Sequence, residues 1–346
     1  MDKIVECVPN FSDGKNPEVH KAIGEAISSV AGVKLLDVDP DESYNRVVVT
    51  FVGSPDNVVE AAFRATKVAY DMIDMSKHQG EHPRFGAIDV CPFVPVRGVT
   101  MKDCIALSKE YGKRVGEELQ VPVYLYEQSA STPKRKNLAK VRRGEYEALP
   151  EKLKKPEWKP DFGPAEFVPH FGAVATGARF FLVAYNINVD TSEVEKTHDL
   201  ALTLRQMGKP KKKDGKIVRN KKGKKVFIPG KLRLCKAMGV PIEDGKRTQI
   251  SMNLNNYLIT PPHIAYEEAL HEAAKRGLTI TGSEIVGLVP LAPVLMAAHF
   301  YLHKNELDYE GQSEEEMVKI AEKYLGLSDY KKFEPQKKII EFAIKS

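Results

Sequence analysis

The sequence predicts an α+β fold built from two ferredoxin-like βαββαβ subdomains. Two observations carry this. Apolar runs alternate with helix-start signals in the order strand, helix, strand, strand, helix, strand over residues 4–94, and the same order returns over residues 180–285. The length of 346 residues suits two domains, or one large duplicated one.

Each element follows from its residues. Residues 4–8 are a short apolar run ended by Pro9, Asn10 and Asp13-Gly14, hence a strand and a loop. Asn16-Pro17 places a cap before a proline at the first helical position, opening a helix over 16–29. Residues 33–38 and 47–52 are rich in β-branched residues and flank a turn-forming PDESYN, which predicts a hairpin. Pro55-Asp56 opens a second helix to about residue 75, and 90–94 reads as a strand. Thr100 then caps a helix over 100–119 before a strand over 121–126. In the second half, 180–189 reads as a strand and Thr191-Ser192 starts a helix. Residues 232–238 and 249–254 pair, Pro261-Pro262 opens a helix, and 278–285 closes the unit. The domain reading is 1–176, 177–303 and a charged tail at 304–346 whose apolar residues (Met317, Ile320, Ala321, Tyr324, Leu325) have helical spacing.

Composition excludes several classes. With 42% hydrophobic and 29% charged residues, the chain is expected to fold and be soluble. No apolar run approaches the ~18 residues of a membrane span, and the opening MDKIVECVPNF lacks a signal-peptide pattern. Cys7, Cys91, Cys104 and Cys235 are scattered without a CxxC pair, so neither a zinc knuckle nor a disulfide framework is indicated, and a cytoplasmic location is expected. The net charge of +5 is local in origin. Residues 209–225 hold ten Lys or Arg against one Asp, which leaves the remainder at −4.

The densest group of reactive side chains is Lys77-His78-Gln79-Gly80-Glu81-His82-Pro83-Arg84. Two imidazoles, which titrate near neutral pH, stand with two cations and an acid in a loop. Three readings compete: a proton carrier, histidines that only tether the loop, and a metal site. The letters H-x-x-E-H over 78–82 fit an inverted zinc-peptidase motif. That motif needs a helix, which Gly80 weakens and Pro83 disfavours at His82. No metal is therefore expected.

Many long blocks resemble the glutamate formimidoyltransferase family: VECVPNFSDGKNPE, LLDVDPDESYNR, VVVTFVGSP, KHQGEHPRFGAIDVCPFVPV, PVYLYE, RRGEYE, PDFGP, GARFFLVAYN, SMNLNNY and TGSEIVGLVPL. The resemblance spans about residues 1–300. It extends to the transferase part of the bifunctional enzyme that also carries a cyclodeaminase, and the 346 residues read here are expected to hold the transferase part alone. The family resemblance implies transfer of the formimino group from N-formimino-L-glutamate to N5 of tetrahydrofolate, in histidine breakdown and one-carbon metabolism. It also implies a folate tunnel between two subdomains, and His82 as the catalytic residue. It implies folate contacts along residues 163–172, which include Gly163, Pro164 and Gly172, and a tendency to form homodimers.

Chemistry adds candidates. Attack by N5 on an amidine carbon requires one proton to be taken and one delivered, which a single histidine can do in sequence. A carboxylate orienting that histidine is expected, with Asp39 favoured over Asp37 and Asp89. Each of these aspartates reads equally as a turn former. Arg84 could grip a substrate carboxylate through its planar fork, or be a solvated surface arginine. Asn10 could bind substrate or stabilise a turn. Gly172 and Gly177 permit close approach to a flat ligand, or serve packing. The basic stretch 209–225 reads as a solvated loop or small hairpin turning at Asp214-Gly215 and Lys222-Gly223. It could attract a folate polyglutamate tail. Nucleic-acid binding is not expected, because aromatic stacking residues are absent there apart from nearby Phe227. Two alternatives stay open from sequence: formyl transfer from N-formylglutamate, and a ferredoxin-like RNA-binding module.

Overall fold

A computed structural model describes residues 2–80, 83–242, 245–308 and 310–345. The chain divides into two compact units, Met1–Phe180 and Phe181–Ser346.

In the first unit the elements run β1 (Ile4–Cys7), β2 (Asn10–Phe11), α1 (Pro17–Ser28), β3 (Val33–Asp41), β4 (Arg46–Gly53), α2 (Pro55–Met72), β5 (Ile88–Arg97), α3 (Met101–Glu118) and β6 (Val123–Glu127). Two short helices, α4 (Leu138–Val141) and α5 (Leu149–Leu153), precede β7 (Val174–Ala178). The Asn16 side chain accepts the Glu18 N–H ahead of Pro17, as the cap signal predicts. Thr100 and Asp103 form a reciprocal capping box at α3.

β1 and β2 lie end to end, each between β4 and β5, and β3 pairs with β4. All these pairings are antiparallel, giving the order β3-β4-β1/β2-β5. β7 then adds in parallel to β5, and β6 in parallel to β7. The sequence reading gave no strand at 174–178. Its residues, VATGA, are all buried, so the alternation that marks a half-exposed strand is missing. One core lies between α1, α2, α3 and one face of the sheet, with Phe11, Ile23, Phe51, Phe93 and Tyr111. A second, around Phe85, Tyr124, Leu149 and Ala173, covers the opposite face over β5–β7.

The second unit has β8 (Val183–Val189), α6 (Val194–Leu204), four two-residue strands β9 (Lys209–Pro210), β10 (Lys212–Lys213), β11 (Lys216–Ile217) and β12 (Phe227–Ile228), then β13 (Cys235–Pro241), β14 (Thr248–Leu254), α7 (Pro262–Ala274) and β15 (Ile280–Val286). Its sheet is β13-β14-β8-β15, antiparallel throughout. The basic insert is a small meander. β10 and β11 form a hairpin whose turn, Asp214-Gly215, has φ of 51° and 76°, which suits a tight two-residue turn. β9 pairs with β12. After β15 come α8 (Leu291–Lys304), α9 (Glu314–Leu325), α10 (Pro335–Lys338) and α11 (Ile340–Ala343). Met317, Val318, Ala321 and Leu325 of α9 are buried, as are Phe333, Ile339 and Phe342 beyond it.

Candidate active site

The loop after α2 is anchored on both sides of its reactive residues. Glu81 and His82 themselves lie outside the described residues. On the entry side, residues 78–80 are not helical. The His78 Nε2 donates to the Asn45 carbonyl at 2.9 Å, and the Asn45 amide donates to the Gln79 carbonyl at 2.8 Å. Asn45 adopts a positive φ of 48° and also accepts the Gly14 N–H. With Nε2–H donating, the His78 Nδ1 is a buried acceptor with no partner among the described residues. Burial lowers the His78 pKa, against the pull of the Asn45 carbonyl. This geometry commits His78 to tethering. A zinc site through the helical motif does not fit residues 78–80, and among the described residues no group of three or more His, Cys, Asp or Glu could hold a metal. A cleft of about 410 Å³ lies beside this anchor, with Lys15, Asn45, Lys77 and His78 in its polar lining.

The exit side is held by two segments. Tyr146 N–H donates to the Arg84 carbonyl, Ala173 N–H to the Phe85 carbonyl, and Ala87 N–H to the Phe171 carbonyl. Ser12 donates through its hydroxyl to Gly86 O at 2.8 Å. The Arg84 guanidinium, 13% exposed, meets Glu147 at 2.5 Å and Glu145 at 3.6 Å and lies 5.9 Å from the Tyr146 ring. Its Nε is buried and has no partner among the described residues. Arg84 is thus neither a solvated surface arginine nor a free fork, because a ligand carboxylate would have to displace Glu147. Beneath the loop, Asp89 is 1% exposed. It accepts from Arg142 Nε at 2.9 Å and from Arg142 Nη2, and from the Phe85 N–H. Burial pushes Asp89 up to about 6, against the opposing effect of Arg142. Asp89 therefore ties strand β5 to the loop exit.

The predicted residues fall into two groups and some outliers. Asn10 and Asp39 share one cross-strand row: Asn10 pairs with Val48, and Val48 with Asp39. Directly opposite residues project to the same face, so the two side chains lie about 10 Å apart across β4. Core residues Val47, Val49 and Phe51 alternate with this row, so it lies on the face away from α1 and α2. Asp39 is exposed, while Asn10 is half-buried and donates to the Val8 carbonyl at 3.1 Å. Gly172 belongs to the loop-exit group. It has φ +82°, and a Cβ there would lie 2.7 Å from the Phe85 carbonyl and 2.9 Å from the Gly86 Cα. Gly163 and half-buried Pro164 are elsewhere, at the start of the segment. A Cβ at Gly163 would meet the Val121 carbonyl at 2.1 Å, and Gly116 of α3 is close. Gly177 is inside β7, where a Cβ would lie 2.3 Å from the Tyr126 carbonyl. Close backbone packing accounts for all three glycines. Gly177→Ala is expected to cost at least ~1–3 kcal/mol through overpacking. Thermal unfolding checks this; unchanged stability with altered folate affinity would reverse the packing reading.

Comparison with known proteins settles the lineage. A model of the formiminotransferase domain, N-terminal subdomain, matches residues 4–179, and a model of the formiminotransferase domain matches 184–345. The chain belongs to the formiminotransferase domain family. Among relatives of this formiminotransferase chain, a formimidoyltransferase-cyclodeaminase of Dictyostelium discoideum is 48% identical over 99% of the chain and 61% of that protein. The chain thus spans about three fifths of such bifunctional relatives. A glutamate formimidoyltransferase of Streptococcus pyogenes serotype M1 is 41% identical over 90% of the chain and 97% of that protein. One from Thermoplasma acidophilum is 44% identical over 92% and 98%.

Sequence reading passed over three residues that the structure places at the loop anchor or on the Asn10–Asp39 face. Asn45 is one, hidden because a turn asparagine is ordinary and its partners lie 31 and 34 residues away. Arg46 is another. It follows Asn45 onto the Asn10–Asp39 face, and its Nε is buried with no partner among the described residues. Glu6 is the third, 3% exposed on the same face, opposite Val52 and Val94. Only the alternation of β1, in which Val5 and Cys7 face the helices, could have signalled it.

Proposed function

We propose that this chain transfers the formimino group from N-formimino-L-glutamate to N5 of tetrahydrofolate, releasing L-glutamate, with His82 as the proton carrier. The observation that carries the reading is its 41% and 44% identity with glutamate formimidoyltransferases over nearly their whole lengths. The hydrogen bonds that anchor residues 78–79 and 84–87, on either side of positions 81 and 82, fit that reading.

In the reaction, N5 attacks the protonated amidine carbon and becomes cationic. The His82 imidazole accepts the N5 proton and returns it to the glutamate nitrogen as the C–N bond breaks, so the histidine ends as it began. Asp39 orients the imidazole in this proposal. It lies on β3 just before the turn that bonds His78 and Gln79. Arg46, on the same face, is suited to a substrate carboxylate through its free Nε. The cleft beside the loop has Lys15 in its lining, a cation that suits a small anionic donor. Reading each unit as ferredoxin-like draws support from the shared strand order. The folate tunnel and the paired state implied by the family resemblance belong to the same proposal.

The test is turnover of N-formimino-L-glutamate with tetrahydrofolate. His82→Ala is expected to lower kcat by at least ~10²-fold with a modest change in folate Kd. Near-normal turnover in that variant would remove His82 from the chemistry. Turnover of N-formylglutamate in place of the formimino donor would redirect the substrate assignment.

A further inference from the structure

The densest charge in the chain lies away from the site described above, on the basic meander at 209–225. Its base is fixed to the second unit. Lys209 pairs with Asp199 of α6, which also meets Arg276. β9 and β12 close the base, and a Cβ at Gly208 would lie 1.8 Å from the Ile228 carbonyl. Beyond the base, every residue over 211–225 except Val218 is exposed. Within the segment only Lys209 has an ion-pair partner among the described residues.

The strands set like charges directly opposite each other. Lys213 stands opposite Lys216, and Arg219 opposite Lys225. Such pairs destabilise a ladder. Backbone bonds hold the lobe together nonetheless, from the Val218 N–H to the Lys211 carbonyl, from Lys211 N–H to Val226 and from Val226 N–H to Val218. A lobe that keeps uncompensated repulsion in place is complementary to a dense external anion.

One face of the lobe says which anion. Ile217, 37% exposed, and Arg219 alternate onto the same side, with Lys212 and Lys225 directly opposite them. Half-buried Phe227, two residues past Lys225, and Pro210 opposite it extend that face. Apolar and cationic side chains are thus interleaved on a single surface. An exposed isoleucine gains nothing from a nucleic-acid backbone or from a soluble acidic chain. It gains by entering the boundary between lipid headgroups and acyl chains, where neighbouring cations reach the phosphates. Nine of the ten cations are lysines, point charges rather than the planar forks that read base edges.

We infer that the meander is a docking surface for an anionic phospholipid membrane, with its lysines against the headgroup phosphates and Ile217 at the edge of the acyl region. The inference is independent of the transferase reading. The chain outside 209–225 carries a net charge of −4, which such a membrane repels, so the lobe also sets which side of the protein approaches. The attraction falls off within a Debye length, so docking is reversible and weakened by salt.

The test is co-sedimentation of the full chain with vesicles, in ~0.1 M salt, where the Debye length is about 10 Å. One set contains phosphatidylserine and phosphatidylcholine in equal parts, the other phosphatidylcholine alone. The chain should bind the mixed vesicles and leave the neutral ones. A variant with Lys212, Lys213, Lys216 and Lys225 each changed to Gln should bind the mixed vesicles at least ~100-fold more weakly, since each cation near such a surface is worth about a five-fold factor. These side chains are exposed, so the variant is expected to fold, and thermal unfolding checks that it does. Ile217→Ser should weaken binding roughly ten-fold through lost apolar contact. Equal binding to neutral vesicles, or full binding by the four-lysine variant, would overturn the assignment. So would retention of a DNA duplex or of poly-L-glutamate without affinity for the mixed vesicles. An Ile217→Ser variant that binds as well as wild type would overturn the apolar contact.

Discussion

Asp89→Ala is expected to destabilise the first unit by about 3–5 kcal/mol, the usual cost of removing one partner of a buried ion pair. The carboxylate is 1% exposed, and three donors converge on it. Truncation takes the acceptor from the Arg142 guanidinium, 17% exposed, and from the Phe85 N–H, beside the second core of Phe85, Tyr124 and Leu149. Part of the loss should be recovered in Asp89→Asn, which keeps an acceptor for Phe85 N–H while giving up the charge. The single tryptophan, Trp158, lies in this unit, so urea melts followed by its fluorescence report the relevant transition. Measurement at pH 8 keeps the wild-type carboxylate ionised, because its pKa is about 6. A loss below about 1 kcal/mol, typical of exposed pairs, would show that the pair is not the anchor described.

Glu6→Gln should do the opposite, raising stability at alkaline pH. The folded pKa of Glu6 is about 7, above its ordinary value of 4.5, because burial disfavours the charged form. Between those pH values the folded chain keeps a proton that the unfolded chain has released. Stability is therefore fullest below about 4.5 and declines as pH rises through 7. The decline attributable to this one group is ~3 kcal/mol. Glutamine carries no such penalty, so the variant should match wild type near pH 4.5 and exceed it at pH 8 by up to ~3 kcal/mol. The same Trp158 melts at the two pH values give the difference, in which all other titrations cancel. A difference independent of pH would mean that Glu6 is already ionised and partnered in the fold.

Much of the architecture was legible because it depends on short-range pattern. Asn16-Pro17 and Thr100 marked true helix starts, and Asp214-Gly215 marked a true turn. Each is fixed by side chains within a few residues. The strand at 174–178 was not legible, because a segment buried on both faces has no alternation to read. Gly172 and Gly177 read equally as ligand approach or packing from sequence, and the close neighbours that the fold gives them are the backbones of strands and loops remote in sequence.

By itself, the sequence determined the element order, the reactive loop at 77–84 and, through its long motif blocks, the family. Only the tertiary structure decided which side chains are already occupied. It gave Arg84 to Glu147, His78 to Asn45 and Asp89 to Arg142, and among the described residues it left the buried Glu6 carboxyl without a hydrogen bond. The physical reason is that periodicity and capping act over a few residues, whereas burial and hydrogen-bond satisfaction depend on strands paired across dozens.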